Sequence, residues 1–430
     1  MRVYFLFFLL ASGFVAGGQL VNGSINQKEV ERIERVLAAD SMQGRLAGAA
    51  GGDKAAAFIA AEFKKAGLQP LQGSDYLQSF TMVQVTASSA TGELNGASLD
   101  AANIIALSPE QALTIDQTAQ AEIQYIKAGE DIRTRVQQIL PAAKTTIVVV
   151  DTSFSKIFPR LAGLRRPEMK TTGAEKKASI FFILAPQQLQ TFSIQLKQNL
   201  QETSFSNVVG VLPGKTLKHE QVIFSAHYDH LGIGKPVNGD SIYNGANDDA
   251  TGTTAVIMLA RHYKALNNHA RTLLFAAFTA EESGGYGSQH FSQQLNPTAV
   301  VAMFNIEMIG TESKWGKNSA FITGFEKTDM GKILQENLKV SSFKFHPDPY
   351  PDQQLFYRSD NATLARLGVP AHTISTSKMD SEKYYHTVDD EVETLDMKNM
   401  TAIIKAIAQS AKTIISGKDT PSRVNTKDLR

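Results

Sequence analysis

His227 and Asp229 stand two residues apart in "IFSAHYDHLG", directly after an apolar run, and Asp248 and Asp249 follow in the glycine-flanked "GANDDATG". Glu281 and Glu282 open "EESGG" behind a second apolar run, Glu307 ends a third in "NIEMIG", and His386 lies in "KYYHTVDD". Imidazoles and carboxylates without any thiolate suit zinc, and manganese or cobalt less specifically. His227 and His386 together with three carboxylates suffice for two ions when one carboxylate bridges. Ions paired roughly 3.5–4 Å apart polarise both a water nucleophile and a substrate oxygen. Asp248 suits the bridge, because its short side chain is carried by a Gly-rich loop whose backbone can approach closely. Asp229 can accept the proton on the other ring nitrogen of His227 and so orient it. Of Glu281 and Glu282, one can bind metal while the other carries a proton from water to the leaving group.

The remaining histidines carry less. His230 suits a lining or hydrogen-bonding role and plain surface exposure equally. His219, His262, His269 and His290 sit in polar or helical surroundings and read as bystanders, and the spacing of His346 and His372 assigns them nothing. No Walker glycine loop is present, and no G-x-S-x-G offers a serine nucleophile elbow.

These residues need elements to hold them. Ser24 is expected to cap a helix through Leu37, with Val30, Ile33 and Leu37 on one face. Asp53 is expected to cap a second helix, lined by Phe58, Ile59 and Phe63 and ended by Gly67. From Asn207 strand and helix alternate. "QVIFSA", "TLLFAAFTA", "VAMFNI" and "VPAHTIS" read as strands, the second covered on both sides. Residues 253–266 read as a helix, and a final helix after Asp396 buries Met400, Ile403, Ile407 and Ile414 and ends at Gly417. This alternation predicts an open, mostly parallel α/β sheet with helices on both faces. Ligands in such sheets bind beyond the carboxyl ends of the strands, where the polar residues fall. Residues 81–203 differ in texture, mixing short apolar runs with polar helical stretches and lacking a ligand cluster.

The chain has 430 residues, enough for one large domain and a smaller one. Its 43 Lys and Arg balance 42 Asp and Glu, which gives no electrostatic case for nucleic acid. Residues 1–18 hold Arg2, an apolar stretch and small residues, the pattern of a secretory signal peptide. The stretch is shorter than the roughly 20 residues of a membrane span. Export without stable membrane insertion follows, to the periplasm or the exterior. With no cysteine in the chain, disulfides contribute nothing.

"HYDHLG", "GANDDATG", "AEESGGYGS", "NIEMIG" and "YYHTVDD" together resemble the co-catalytic zinc exopeptidase family (clan MH) that contains bacterial leucyl aminopeptidase, aminopeptidase Y and glutamate carboxypeptidase. The likeness runs over residues 207–417, with the helices around "GRLAG". It implies a phosphorylase/hydrolase-like three-layer αβα sandwich with a mixed, mostly parallel central sheet and a smaller inserted domain. The implied layout is a signal peptide at 1–18, N-terminal helices packing on the catalytic domain at 19–80, a protease-associated-like insert at 81–203, a zinc peptidase domain at 204–420 and a polar tail at 421–430. It further implies two zinc ions. His227 would bind one, Asp248 would bridge, and Glu282 and His386 would hold the other. Glu281 would be the general base, and Tyr385 resembles a tyrosine that stabilises the oxyanion. Glu307 stands where Asp is usual, a departure that lengthens this ligand by one methylene.

The implied activity is removal of N-terminal residues from peptides with a free N-terminus, by metal-activated water. Glutaminyl cyclase, carboxypeptidase and a non-enzymatic binding domain share the scaffold and stand as alternatives. Side-chain specificity and oligomeric state are not readable from the residues.

Overall fold

The computed structural model describes residues 23–165, 168–169, 177–186 and 188–430; the expected signal peptide, 1–18, lies outside them. The chain forms two compact units, one of residues up to 79 together with 205–430, the other of residues 80–204. The chain passes between them within two long strands, Leu77–Leu94 and Phe192–Leu212.

In the larger unit, helix α1 spans Gln27–Leu37 and α2 spans Ala50–Ala66. Asn26, not Ser24, caps α1: its side-chain oxygen accepts from the Glu29 N–H at 3.0 Å. Ser24 Oγ instead lies 2.7 Å from His262 Nδ1. The physical reason is position, since Asn26 has extended backbone angles immediately before the first helical residue. Asp53 falls inside the first turn of α2, where it complements the positive helix end without capping it. Gly67 terminates α2 in the left-handed conformation, with φ of 76°.

The sheet of this unit uses β1 (Phe192–Leu212), β2 (Leu217–His227), β3 (Arg271–Phe278), β4 (Val300–Ile306), β5 (Ser319–Ile322), β6 (Lys344–Pro347) and β7 (Ala371–Ser375). Their spatial order is β6-β5-β7-β4-β2-β3-β1. The four central strands β7, β4, β2 and β3 run parallel. β1 is antiparallel to β3, and β5 is antiparallel to β7. A parallel neighbour must be reached by a crossover, and α3 (Thr251–Leu266) and α4 (Tyr286–Gln293) supply two.

Alternation along each strand explains the two covered faces. Val222, Phe224 and Ala226 join Leu273, Phe275, Ala302 and Phe304 in a cluster completed by α1, α2, α3 and the C-terminal helix α5 (Met397–Ser410). Ile223, Leu274, Ala276 and Met303 point the other way, against Phe291 of α4 and Leu364. The result is a helix–sheet–helix sandwich, as expected. Phe224 stacks on Phe304 at 4.8 Å and on Phe275 at 5.6 Å between ring centroids. Full burial of such a side chain is worth about 1.5–3 kcal/mol. The expected final helix breaks at Ala411 and resumes over Lys412–Ile415 before Gly417. The last residues, read as a polar tail, are anchored by Arg423, which donates to the Val300 carbonyl at 2.7 Å.

The smaller unit contains a four-stranded sheet in the order Ile104–Leu107, Ile180–Leu184, Thr146–Val150, Glu122–Ile126, antiparallel only at its first pair. Ile147, Val149, Phe181 and Ile183 fill one face, and Val148, Val150, Ile180 and Phe182 the other. The short apolar runs at 123–126, 146–150 and 180–184 fall in three of these strands. Among the described residues, no helix is long and apolar enough to cross a membrane.

Candidate metal centre

Parallel pairing of β2, β3, β4 and β7 brings four carboxyl ends to one edge. His227 ends β2, Glu281 and Glu282 follow β3 by three and four residues, and Glu307 follows β4 directly. Asp248 comes from the loop before α3, and His386 from the loop after β7. Ala280, Met308 and His386 all take positive φ without being glycine (58°, 51° and 58°). Such backbone persists only where surrounding structure holds it. Here each lies at, or next to, a residue of the cluster.

The two imidazoles divide the Asp248 carboxylate between them. His227 Nε2 lies 3.3 Å from Oδ1 and His386 Nε2 lies 3.3 Å from Oδ2. His386 Nε2 is also 3.2 Å from Glu282 Oε2. His230, left between lining and surface by its sequence, is fully buried, with Nδ1 2.9 Å from Glu282 Oε1 and 3.8 Å from Asp248 Oδ2. Among the described residues, His230, Asp248 and Glu282 form a group whose ligand atoms all lie within 4.8 Å of one another. This triad is able to coordinate one metal ion. The pairing of His230 with Asp248 and Glu282 carried no local signal beyond its place in "HYDHLG".

Asp229 departs from its expected contact. Its carboxylate lies 3.8 Å from His227 Nδ1, whereas its main-chain oxygen lies 3.1 Å from that nitrogen. The carboxylate instead accepts the Glu281 N–H at 3.1 Å. Asp229 thus orients His227 through its carbonyl and holds the backbone of Glu281 through its side chain. Tyr385 stacks on His386 with ring centroids 3.9 Å apart and lines the cleft beside Asp248, Glu281, Glu282 and Glu307.

Residues that motif reading passed over carry the scaffold. Arg45 of "GRLAG" is fully buried and donates to the carbonyls of Leu37 and Gly245 at 2.8 Å, of Tyr228 at 2.7 Å and of Asn244. It ties the His227 loop to the Asp248 loop. The Asp390 carboxylate accepts the main-chain N–H groups of Asn247 and Asp248 at 2.8 and 3.1 Å. Asp249 Oδ1 accepts those of Gly252 and Met308, each at 3.0 Å, which fixes the backbone beside Glu307. The adjacent aspartates therefore have different work: one faces the cluster and one ties down its walls.

Electrostatics follow from burial opposed by neighbours. Burial raises the Asp248 pKa, but the contacts with His227 and His386 override it and hold the carboxyl below its usual range. Burial likewise opposes protonation of His227, and its contact with Asp248 and the nearby Glu281 and Asp249 outweigh that. Burial pushes Glu281 well above an ordinary carboxylate; His227 opposes the shift, and Glu307 and Asp360 add to it. Burial also brings Glu307 up to about 7. Contacts with Asp248 and Glu282 raise His386 to about 10.

Residues 207–411 match the model of peptidase family M28. Over 204 residues the chain is 29% identical to a probable leucine aminopeptidase of Trichophyton verrucosum, covering 45% of this chain and 53% of that protein. It thus spans about half the length of that curated relative. Over 381 residues it is 25% identical to aminopeptidase YwaD of Bacillus subtilis, covering 83% of this chain and 78% of the relative. Among solved structures, the aminopeptidase from Aneurinibacillus sp. strain AM-1 shares the fold with a TM-score of 0.56 at 18% identity, covering 96% of this chain and 98% of that one. The peptidase M28 precursor of Shewanella amazonensis gives 0.54 at 17% identity, over 96% and 98%.

Proposed function

We propose that the chain is an exported zinc-dependent aminopeptidase, removing residues from peptides with a free N-terminus. The observation that carries this reading is the sharing of one buried carboxylate, Asp248, by His227 and His386, with Glu281, Glu282 and Glu307 around it. The match of residues 207–411 to the M28 peptidase model and the names of the similar leucine aminopeptidase and aminopeptidase YwaD support the reaction class.

The donor set fits zinc. It combines imidazole and carboxylate in a chain without cysteine. Among the described residues, Glu307 Oε2 is buried without a hydrogen-bond partner, and His386 Nε2 and Glu282 Oε1 meet only other groups of the cluster. In this reading two ions would be held by these residues: His227 and Glu307 would serve one, Glu282 and His386 the other, and Asp248 both. Zinc, when bound, supplies Lewis-acid polarisation of the reacting oxygen atoms.

The other steps belong to side chains. The Glu281 carboxylate takes the proton of the attacking water and delivers it to the leaving amine, and a raised pKa suits a group that must hold a proton between two transfers. Asp229 keeps Glu281 in place through its main-chain N–H. Tyr385, which lines the cleft, would donate its hydroxyl to the developing oxyanion. Met308, Phe321, Leu355 and Met379 give the cleft an apolar wall for a substrate side chain. Export rests on the signal-like residues 1–18, and residues 81–203 keep their reading as a protease-associated-like insert.

The test is hydrolysis of a peptide series, with free and acetylated N-termini, by the zinc-loaded protein. Stepwise release from the free forms alone is expected. Equal cleavage of blocked peptides would replace the aminopeptidase reading with carboxypeptidase or endopeptidase action. Cleavage of neither, with cyclisation of N-terminal Gln, would replace it with glutaminyl cyclase.

A further inference from the structure

The three acidic neighbours of His386 and His227 account for the expected ligands, yet they leave a third imidazole unexplained. His230 is fully buried; its Nδ1 lies 2.9 Å from Glu282 Oε1, and its Nε2 has no hydrogen-bond partner among the described residues. A buried polar group left unpaired costs about 1–3 kcal/mol, so this burial needs a reason. The surroundings are built for it. The His230 N–H donates to the Arg45 carbonyl at 3.3 Å. Gly245, at φ of 54°, lies against the ring; a Cβ there would come within 2.5 Å of Cγ and Cδ2. Glycine is thus required both by the backbone and by the imidazole beside it. The His230 ring meets that of His386 edge-on, at 5.6 Å and 74°.

Resting on the zinc reading above, we propose that His230 is a further zinc ligand. It joins Asp248, Glu282 and His386, so that this half of the site surrounds its ion with four protein donors. The half at His227 and Glu307 has fewer donors and holds its ion more weakly. Donor spacing argues for this arrangement. Ligands about 2.0–2.1 Å from a tetrahedral zinc stand about 3.3 Å from one another. The separations are 2.9 Å (His230 Nδ1 to Glu282 Oε1), 3.2 Å (His386 Nε2 to Glu282 Oε2), 3.3 Å (His386 Nε2 to Asp248 Oδ2) and 3.8 Å (His230 Nδ1 to Asp248 Oδ2). Four protein donors make a closed shell of the kind that retains zinc, whereas a site with an open position exchanges more readily.

The experiment uses zinc itself. The full chain is loaded with zinc and equilibrated against graded chelator, and retained metal is counted by mass spectrometry. Two classes of ion are expected, one tight and one loose. His230→Ala should weaken the tight class by at least about 10–100-fold, the loss seen even for partners outside the coordination shell, and His386→Ala should weaken the same class. A crystal structure of the zinc-loaded natural chain supplies a readout that no misfolded variant can mimic. His230 Nδ1 at about 2.0–2.1 Å from zinc is the expected result. Two bound ions with His230 Nδ1 beyond about 3 Å, or a tight class untouched by His230→Ala, would overturn this inference and leave the peptidase reading standing. No zinc bound by the natural chain would sink both.

Discussion

Carboxylates in the two units meet opposite fates. In the smaller unit Asp116, Asp131 and Asp151 each stand at a turn or helix start and accept nearby donors. Asp131 caps the helix Ile132–Ile139 through the Arg133 N–H at 2.9 Å, and Asp151 accepts the Ser153 N–H at 2.9 Å. Thr118, Thr134 and Ser153 hold these three acids below their ordinary pKa. In the larger unit Glu281 and Glu307 are turned inward beyond the strand ends, and burial raises their pKa. The same functional group is thus a satisfied local cap in one place and, at Glu307, a buried oxygen without a hydrogen-bond partner among the described residues in the other. Only the second arrangement has a use for a cation.

The sharpest way to break this contrast is Glu281→Gln. Peptide hydrolysis should fall about 10²–10⁴-fold, the usual share of a general base, with zinc content unchanged by mass spectrometry. Loss of zinc instead would make Glu281 a ligand and erase the division of labour with Glu282. Arg45→Met tests whether the site loops stand without their internal tie. Removing the cation strands the carbonyls of Leu37, Tyr228, Asn244 and Gly245, and a loss of about 3–5 kcal/mol is expected in urea denaturation. An unchanged midpoint would show that the loops hold themselves.

Glu34 offers a buried acid outside the centre. Its carboxyl accepts from Thr254 Oγ1 at 2.7 Å, and burial raises its pKa to about 8. Between an unfolded value of about 4.3 and that folded value, the native state keeps a proton that the unfolded chain has lost. Stability must therefore fall as pH rises through this window. Relative to Glu34→Gln, the natural chain should lose on the order of 1–3 kcal/mol between pH 5 and 8. A constant difference across that range would show that Glu34 titrates normally. The smallest effect belongs to Asp131→Ala in the other unit: a slight fall in melting temperature, with hydrolysis and zinc content untouched. Any loss of zinc there would end the separation between capping and metal-binding acids.

Much of this was legible without coordinates. Apolar runs long enough for a strand and too uniform for one-sided burial announced β2, β3, β4 and β7. The polar residues directly behind them announced a site at their carboxyl ends. Both signals are local, because a strand's burial pattern and the residue following it are written consecutively. Helix caps were less secure: Ser24 and Asn26 are equally able to cap, and only the backbone angle at Asn26 distinguished them.

What the residues alone determined, then, was the sandwich, the order of its motifs and the edge where His227, Asp248, Glu282, Glu307 and His386 had to meet. Tertiary structure alone decided the rest. It turned Asp229 from His227 to the backbone of Glu281, buried Arg45 among carbonyls nearly two hundred residues away in sequence, and carried His230 inward against Gly245. Those outcomes depend on which buried donors and lone pairs lie within about 3 Å of one another. That distance is set by the packing of several elements at once, and no single stretch of chain contains it.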